Sequence, residues 1–137
     1  MKKIVLIIFC CLFCFNASAK RFENCIPFQG KNGKHFCYSS NVSGHWYVAN
    51  SWCKAQGLKL ASLNELCDYN ETSRVKQDSA CPNMENVTLP QDEYWTSTVR
   101  NNYISQAKTI KKQNGQFLPQ QLYMKWSTAY FICKMPD

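Results

Sequence analysis

The sequence predicts a small α+β domain that is held together by disulfides. Three observations indicate this class: six cysteines outside an N-terminal apolar run, two adjacent helix signals in the first half, and segments rich in aromatic and β-branched residues in the second half. Helical and strand patterns occupy separate parts of the chain, which is typical of α+β architecture. The sequence contains no internal repeat, low-complexity tract or linker, so a single domain accounts for it.

The N-terminus has the pattern of an export signal. Lys2 and Lys3 precede an apolar run over residues 4–15, and a small-x-small cleavage site follows at residues 17–19. The run is shorter than the roughly twenty residues that a membrane-spanning helix needs. We therefore predict a cleaved signal peptide over residues 1–19 and one domain over residues 20–137, with no transmembrane segment after cleavage. The protein would be secreted, at the cell surface or periplasmic, and the short di-lysine signal favours a bacterial source.

A first helix is predicted over residues 46–56. Trp46, Ala49 and Cys53 recur at offsets of three and four residues, which places them on one helical face. Gly57 follows at the position where a left-handed cap ends a helix. The pattern therefore indicates an amphipathic helix with Trp46, Ala49 and Cys53 buried.

The remaining elements are predicted from local signals. Ser62 stands three residues before Glu65, which is the capping-box signature of a second helix, joined to the first by a tight link. Two Asn-Gly pairs, at Asn32 and Asn114, predict hairpin turns. Strand signals rich in aromatic and β-branched residues flank these turns or follow them, over residues 25–38, 94–99, 103–110 and 128–133.

The cysteines outside the signal peptide favour disulfides over a metal site. They are Cys25, Cys37, Cys53, Cys67, Cys81 and Cys133. An even number in an exported chain favours three disulfides and an oxidising compartment. No two of them form a C-x2-C pair, so zinc is not favoured and we predict no cofactor. Their number alone leaves the pairing open.

Two separated stretches carry a resemblance to a known family. The pattern W-x2-A-x3-C-x3-G-x2-L runs from Trp46 to Leu60, and Phe131-Ile132-Cys133 follows far downstream. It resembles the C-type lectin-like domain, in the compact bacterial form found at the tips of intimin- and invasin-type adhesins, and extends over residues 25–134. The resemblance implies a C-type lectin-like fold, with two short helices packed on small antiparallel sheets. It also implies a recognition module rather than an enzyme.

The resemblance further implies a disulfide pairing. In this family a cysteine of the first helix is bonded to one of the last strand, and longer members close an N-terminal hairpin with a bond of its own. By that likeness Cys53 pairs with Cys133 and Cys25 pairs with Cys37. The remaining bond, Cys67 with Cys81, would close a short local loop.

The chain departs from the family at its calcium site. Calcium-dependent members combine a Glu-Pro-Asn or Gln-Pro-Asp loop with a Trp-Asn-Asp strand. Here Trp126 is followed by Ser127-Thr128, and the nearest loop candidate is residues 89–92, Leu-Pro-Gln-Asp. Calcium takes about six to eight oxygen ligands, several of them carboxylates, and residues 94–136 contain no Asp or Glu. We therefore predict no metal and calcium-independent binding.

The segregation of charge along the chain suggests where a ligand binds. The chain has a formal net charge of +7, and its second half carries basic residues without acids over residues 94–136. We predict that this segment contacts a host or cell-surface glycan or protein, anionic in character. A solvated basic loop is the alternative interpretation. The candidate ligand-binding residues are Arg100, Tyr103, Lys108, Lys111, Lys112, Tyr123 and Trp126.

The predicted function is an exported, non-catalytic recognition module: an adhesin, or a binding subunit at the tip of a pilus or other surface assembly. One alternative is a small periplasmic or secreted protein that binds and inhibits another protein. A second is a basic, ribonuclease-like hydrolase that uses the two histidines of the chain, His35 and His45, as an acid/base pair. A nucleic-acid partner is not favoured, because the charge is modest and no phosphate-binding glycine loop is present.

We expect calcium to be dispensable for stability. The thermal midpoint should be the same in millimolar calcium and in chelator, because residues 94–136 lack the carboxylates that a hard divalent cation requires. Thermal unfolding followed by circular dichroism measures this directly. A rise of the midpoint with calcium, reversed by chelator, would contradict the prediction, and Asp92 and Glu93 would be the first residues to replace.

Overall fold

The structure is a mixed α+β fold, as the sequence predicts. The computed structural model describes residues 24–68, 80–99, 106–119 and 123–137. The predicted signal peptide, residues 1–19, lies outside the described residues. No helix in the described part is long and apolar enough to cross a membrane.

The described elements are a β-hairpin, two α-helices with a short strand between them, a 3-10 turn and five further strands. Their bounds are β1 Cys25–Gln29, β2 His35–Ser39, α1 Trp46–Ala55, β3 Lys59–Leu60, α2 Leu63–Cys67, the 3-10 turn Pro82–Met84, β4 Glu93–Val99, β5 Gln106–Gln113, β6 Gln116–Pro119, β7 Tyr123–Met124 and β8 Tyr130–Lys134.

The strands join into one mixed sheet, which differs from the small antiparallel sheets of the prediction. The order is β1-β2-β8-β4-β5-β6, with β3 added beside β8 and β7 added beside β5. Strand β8 is antiparallel to β2 and β3 but parallel to β4. The difference arises because β8 enters between β2 and β4 and connects their pairings, which local sequence signals do not specify.

The caps of both helices match the signals in the sequence. His45 caps α1, and its Nδ1 accepts a hydrogen bond from the Val48 N–H at 3.4 Å. Gly57 follows α1 with a φ of 75°, in the left-handed region where glycine is favoured. At α2 the capping box is complete: Ser62 Oγ accepts from the Glu65 N–H at 3.1 Å, and Glu65 Oε1 accepts from the Ser62 N–H at 2.9 Å.

The two helices pack on opposite faces of the sheet. Alternate residues of the central strands point to opposite faces, so β4 and β8 bury side chains on both sides. The cluster beneath α1 includes Ala49, Cys53, Trp95, Phe131 and Cys133. The cluster beneath α2 includes Leu63, Leu66, Tyr94, Ile110 and Ile132.

Three disulfides fasten these layers. They are Cys25–Cys37, Cys53–Cys133 and Cys67–Cys81, the same pairs that the family resemblance implies. The sulfur atoms of Cys25, Cys37 and Cys133 are buried within 4.8 Å of one another. Each of these sulfurs is already bonded in a disulfide, so this group is two adjacent disulfides rather than a metal site.

We expect the Cys53–Cys133 bond to contribute most to stability. Replacing both cysteines by alanine should lower the free energy of unfolding by about 4.5 kcal/mol, against about 3 kcal/mol for the Cys25–Cys37 pair, in the chain-entropy account. The reason is loop length, since the sequence separations are 80 and 12 residues. Equilibrium urea unfolding of the two double variants measures the difference. Equal losses would indicate that packing around the sulfurs, rather than loop closure, sets their contribution.

Candidate functional site

The predicted ligand-binding residues fall into described and undescribed parts of the chain. Arg100 and Tyr103 lie outside the described residues. Tyr123 is described through its backbone, which pairs with Ala107 of β5. The others have described side chains: Lys108, Lys111 and Lys112 on β5, and Trp126 in the turn before β8.

The three β5 lysines do not form a compact cluster. Successive side chains of a strand point to opposite faces, so Lys111 points away from the face that carries Lys108 and Lys112. Lys111 lies opposite Glu93 in the β4–β5 pair, and Thr109 Oγ1 donates to Glu93 Oε2 at 2.9 Å. The lysines are therefore spread over a strand, which weakens their combined attraction for any one anionic group.

Trp126 is the most exposed large apolar side chain in the described part of the chain. Its exposed fraction is 61%, and that of Tyr47, in the first turn of α1, is 50%. Single exposed apolar side chains are common, whereas neighbouring exposed rings mark interaction surfaces. The contacts between the segments that carry these two rings therefore bear on whether they form an interaction surface.

Backbone contacts bring together the two segments that carry these rings. The Trp46 N–H donates to the Lys125 carbonyl oxygen at 2.7 Å, which fastens the turn before β8 to the start of α1. Trp126 directly follows Lys125, and Tyr47 directly follows Trp46. The two exposed rings are therefore carried by segments that contact each other.

The Lys125 side chain adds a second attachment between the turn and the helix. Lys125 is only 6% exposed, and its Nζ lies 4.0 Å from the centre of the Trp46 ring and 5.2 Å from that of Tyr47. A cation is attracted to aromatic ring faces, most strongly where water is excluded. Trp46 is itself fixed, because its Nε1 donates to the Thr96 carbonyl at 2.9 Å. Lys125 therefore holds both rings of the first helical turn in place.

We call the exposed rings of His45, Tyr47 and Trp126 the aromatic patch. The His45 and Tyr47 ring centroids lie 6.1 Å apart in an edge arrangement, and Val48 beside them is 39% exposed. The patch offers apolar ring faces together with polar edge atoms of His45 and Tyr47. Such a surface can stack on a sugar ring or pack against apolar residues of a protein.

The two histidines lie at opposite ends of β8. The Met135 N–H donates to the His35 carbonyl at 3.0 Å, whereas Gly44, next to His45, bridges to Ala129. An extended chain from position 129 to position 135 covers about 20 Å. An acid/base pair must reach one substrate within hydrogen-bond distance. This geometry does not support the hydrolase alternative in which His35 and His45 act together.

The shifted pKa values of the described residues have structural causes. A hydrogen bond from Lys31 lowers the pKa of Glu85, and a hydrogen bond from Lys134 lowers the pKa of Asp137. Burial raises the pKa of Tyr94 to about 12, so its hydroxyl remains protonated at neutral pH. These three groups all lie outside the aromatic patch.

Comparisons with known proteins leave the family of this chain open. No protein-family model, no curated protein and no solved structure matches it. The likeness to the C-type lectin-like domain therefore stays a prediction, and a function has to be argued from the described residues.

Trp126 was predicted as a ligand-binding residue, whereas Tyr47 and Lys125 were not. His45 was named only as a catalytic residue of the hydrolase alternative. A signal for Tyr47 exists in the sequence, because it is an aromatic residue outside the buried stripe of Trp46, Ala49 and Cys53. No comparable signal exists for Lys125. Its contact with two rings depends on the meeting of two distant segments.

We expect the contact between Lys125 and Tyr47 to appear as an energetic coupling. In a double-mutant cycle, Lys125→Met and Tyr47→Leu should be non-additive by about 0.5–1 kcal/mol, because either change removes the same cation–ring attraction. Equilibrium urea unfolding of the two single variants and the double variant provides the measurement.

The matched control is Lys125→Met combined with Val99→Ala, an exposed apolar position on β4. That pair should be additive. Additivity in both cycles would indicate that the ring contact contributes nothing measurable.

Proposed function

We propose that this chain is a non-catalytic recognition module that binds a glycan or protein ligand through the aromatic patch. The observation that carries the proposal is the 61% exposure of Trp126 in a turn fastened to α1 beside Tyr47. Trp and Tyr supply much of the binding free energy at recognition surfaces. A ring that is held in place before binding, as Tyr47 is by Lys125, loses little conformational freedom on contact, which favours affinity.

As its framework we propose the compact C-type lectin-like fold. Support comes from the bond between α1 and β8, from the disulfide-closed hairpin and from two helices packed on one sheet. By the resemblance, Trp126 would correspond to the tryptophan of the Trp-Asn-Asp strand in calcium-dependent members of that family. The aromatic patch would then take the place of the metal-bridged sugar contacts of those members, with stacking as the main interaction.

The setting that suits this module is the outside of a bacterial cell. Three disulfides agree with an oxidising compartment, and the N-terminal pattern agrees with export. An adhesin, or the tip subunit of a surface assembly, presents such a domain to ligands on other cells. The aromatic patch requires neither a metal nor a catalytic group to act in this way.

Trp126→Ala should weaken ligand binding about tenfold or more, which is typical of a central aromatic contact. The free energy of unfolding should change little, because most of the side chain is in contact with water. A glycan array followed by affinity measurements on the glycans that bind gives the readout. Val99→Ala is the control, since Val99 is 41% exposed and lies outside the patch.

The same measurements separate the two candidate surfaces. If Trp126→Ala binds as the parent does and the triple change of Lys108, Lys111 and Lys112 to serine abolishes binding, the predicted basic segment is the site and the aromatic patch is not. With intact host cells, loss of binding after glycosidase treatment assigns a glycan ligand. Loss of binding after protease treatment alone assigns a protein.

A further inference from the structure

The chain contains two Asn-Gly pairs, Asn32-Gly33 and Asn114-Gly115, and each lies in the turn of a hairpin. Such pairs share a chemical property. The amide nitrogen of the glycine can attack the side-chain carbonyl carbon of the asparagine, because glycine has no side chain to block the approach. In a folded chain the reaction requires that these two groups are free to meet. The two turns differ in this respect.

The reacting groups of the first pair are held by hydrogen bonds. The Gly33 N–H donates to the Gly30 carbonyl at 3.0 Å, and Asn32 Oδ1 accepts from the Lys34 N–H at 3.0 Å. The Asn32 N–H donates to Oδ1 of buried Asn83 at 2.8 Å. The attacking nitrogen and the side chain that it would attack are therefore both engaged with other partners.

The reacting groups of the second pair are not held in this way. Gln113 and Gln116 are partners at the ends of β5 and β6, so the turn consists of Asn114 and Gly115 alone. Both have a positive φ, 51° and 80°, which is typical of a type I′ turn. Among the described residues, neither the Gly115 N–H nor the Asn114 side chain has a hydrogen-bond partner.

The second turn is also open to water. Asn114 and Gly115 are both exposed. Apart from its chain neighbours, no atom lies within 4 Å of the position where a side chain at Gly115 would begin. Water and hydroxide can therefore reach the groups that would react.

We propose that Asn114 is a site of spontaneous deamidation, whereas Asn32 is protected by its hydrogen bonds. The Gly115 nitrogen gives its proton to hydroxide and bonds to the side-chain carbonyl carbon of Asn114. The bond from that carbon to the amide nitrogen breaks, and the amide group takes a proton from water and leaves as ammonia. The product is a five-membered cyclic imide.

Water then opens the imide ring at one of its two carbonyl carbons. Opening at the side-chain carbonyl gives aspartate at position 114. Opening at the main-chain carbonyl gives isoaspartate, in which the main chain continues through the former side chain. Water is the only co-reactant in either case. The modification goes beyond the proposed binding function and does not involve the aromatic patch, so either proposal can fail without the other.

Both products change the charge of the second half of the chain. Each places a carboxylate two residues after Lys112, in the stretch of residues 94–136 that otherwise contains no acid. Isoaspartate also lengthens the main chain in a turn that the pairing of Gln113 with Gln116 limits to two residues. The longer turn weakens the pairing of β6, where the Phe117 carbonyl accepts the Cys81 N–H at 2.8 Å.

Peptide mapping by mass spectrometry tests the proposal on the folded, oxidised chain during incubation in mildly alkaline buffer. Conversion at Asn114 should be about thirtyfold faster than at Asn32, the effect of two ordinary hydrogen bonds that must break before Asn32 can react. The control is the reduced chain in urea, where both Asn-Gly pairs are unfolded and should convert at similar rates. Equal rates at the two sites in the folded chain would overturn the proposal.

A variant tests the role of the glycine. Gly115→Asn keeps a residue that tolerates positive φ but adds a side chain beside the attacking nitrogen. Conversion at Asn114 should slow about tenfold, because the nitrogen approaches the carbonyl carbon less closely. Conversion of this variant at the rate of the parent would show that the Gly115 nitrogen is not the attacking group, which also overturns the proposal.

The effect on the hairpin is measured on the isoaspartate product after chromatographic separation. Hydrogen exchange of the Cys81 amide should be about fivefold faster than in the parent, which corresponds to one lost hydrogen bond of ordinary strength. The matched control is Asn114→Asp, which adds the charge without lengthening the main chain and should leave that rate unchanged. The same exchange rate in the isoaspartate product and in Asn114→Asp would overturn the inferred weakening of β6.

Discussion

The Cys53–Cys133 disulfide joins α1 to the central strand β8, and most of the molecule is arranged around this bond. Cys133 is also the sheet partner of Cys37, whose own bond to Cys25 closes the first hairpin. Helix, central strand and hairpin therefore meet at one buried point. The aromatic patch lies at the start of α1, where the helix meets the turn before β8. It depends on the contact between α1 and β8 that this bond secures.

A second fixed point links the first hairpin to α2. Buried Asn83 accepts the Asn32 N–H on its Oδ1 at 2.8 Å, and its Nδ2 donates to the Glu65 carbonyl at 3.3 Å. A side chain at Gly30 would overlap the Asn83 amide, so only glycine fits there. One amide thus orients the hairpin turn, the 3-10 turn and α2. The framework is rigid on this side as well, which leaves surface side chains free to serve binding.

Local chemistry predicted the elements whose signals lie within a few residues of each other. The capping box of α2 and the Asn-Gly turns are of this kind. Strands β3 and β7 could not be predicted, since each has two residues and exists only because β8 and β5 offer partners. The aromatic patch follows the same rule: Trp126 stands out by itself, whereas the contact of Lys125 with Tyr47 joins distant segments.

The position of β8 also governs the order in which the fold can be completed. All three of its partners, β2, β3 and β4, precede it by long stretches of chain. The entropy cost of closing these loops must therefore be overcome before any of the pairings forms. Until β8 arrives, the thiol of Cys53 lacks its native partner and lies in the same incomplete chain as Cys25 and Cys37. Thiol–disulfide exchange can then join the wrong pairs and later release them. The Cys53–Cys133 bond therefore depends on the packing of β8 into the centre of the sheet, whereas the other two bonds close short local loops.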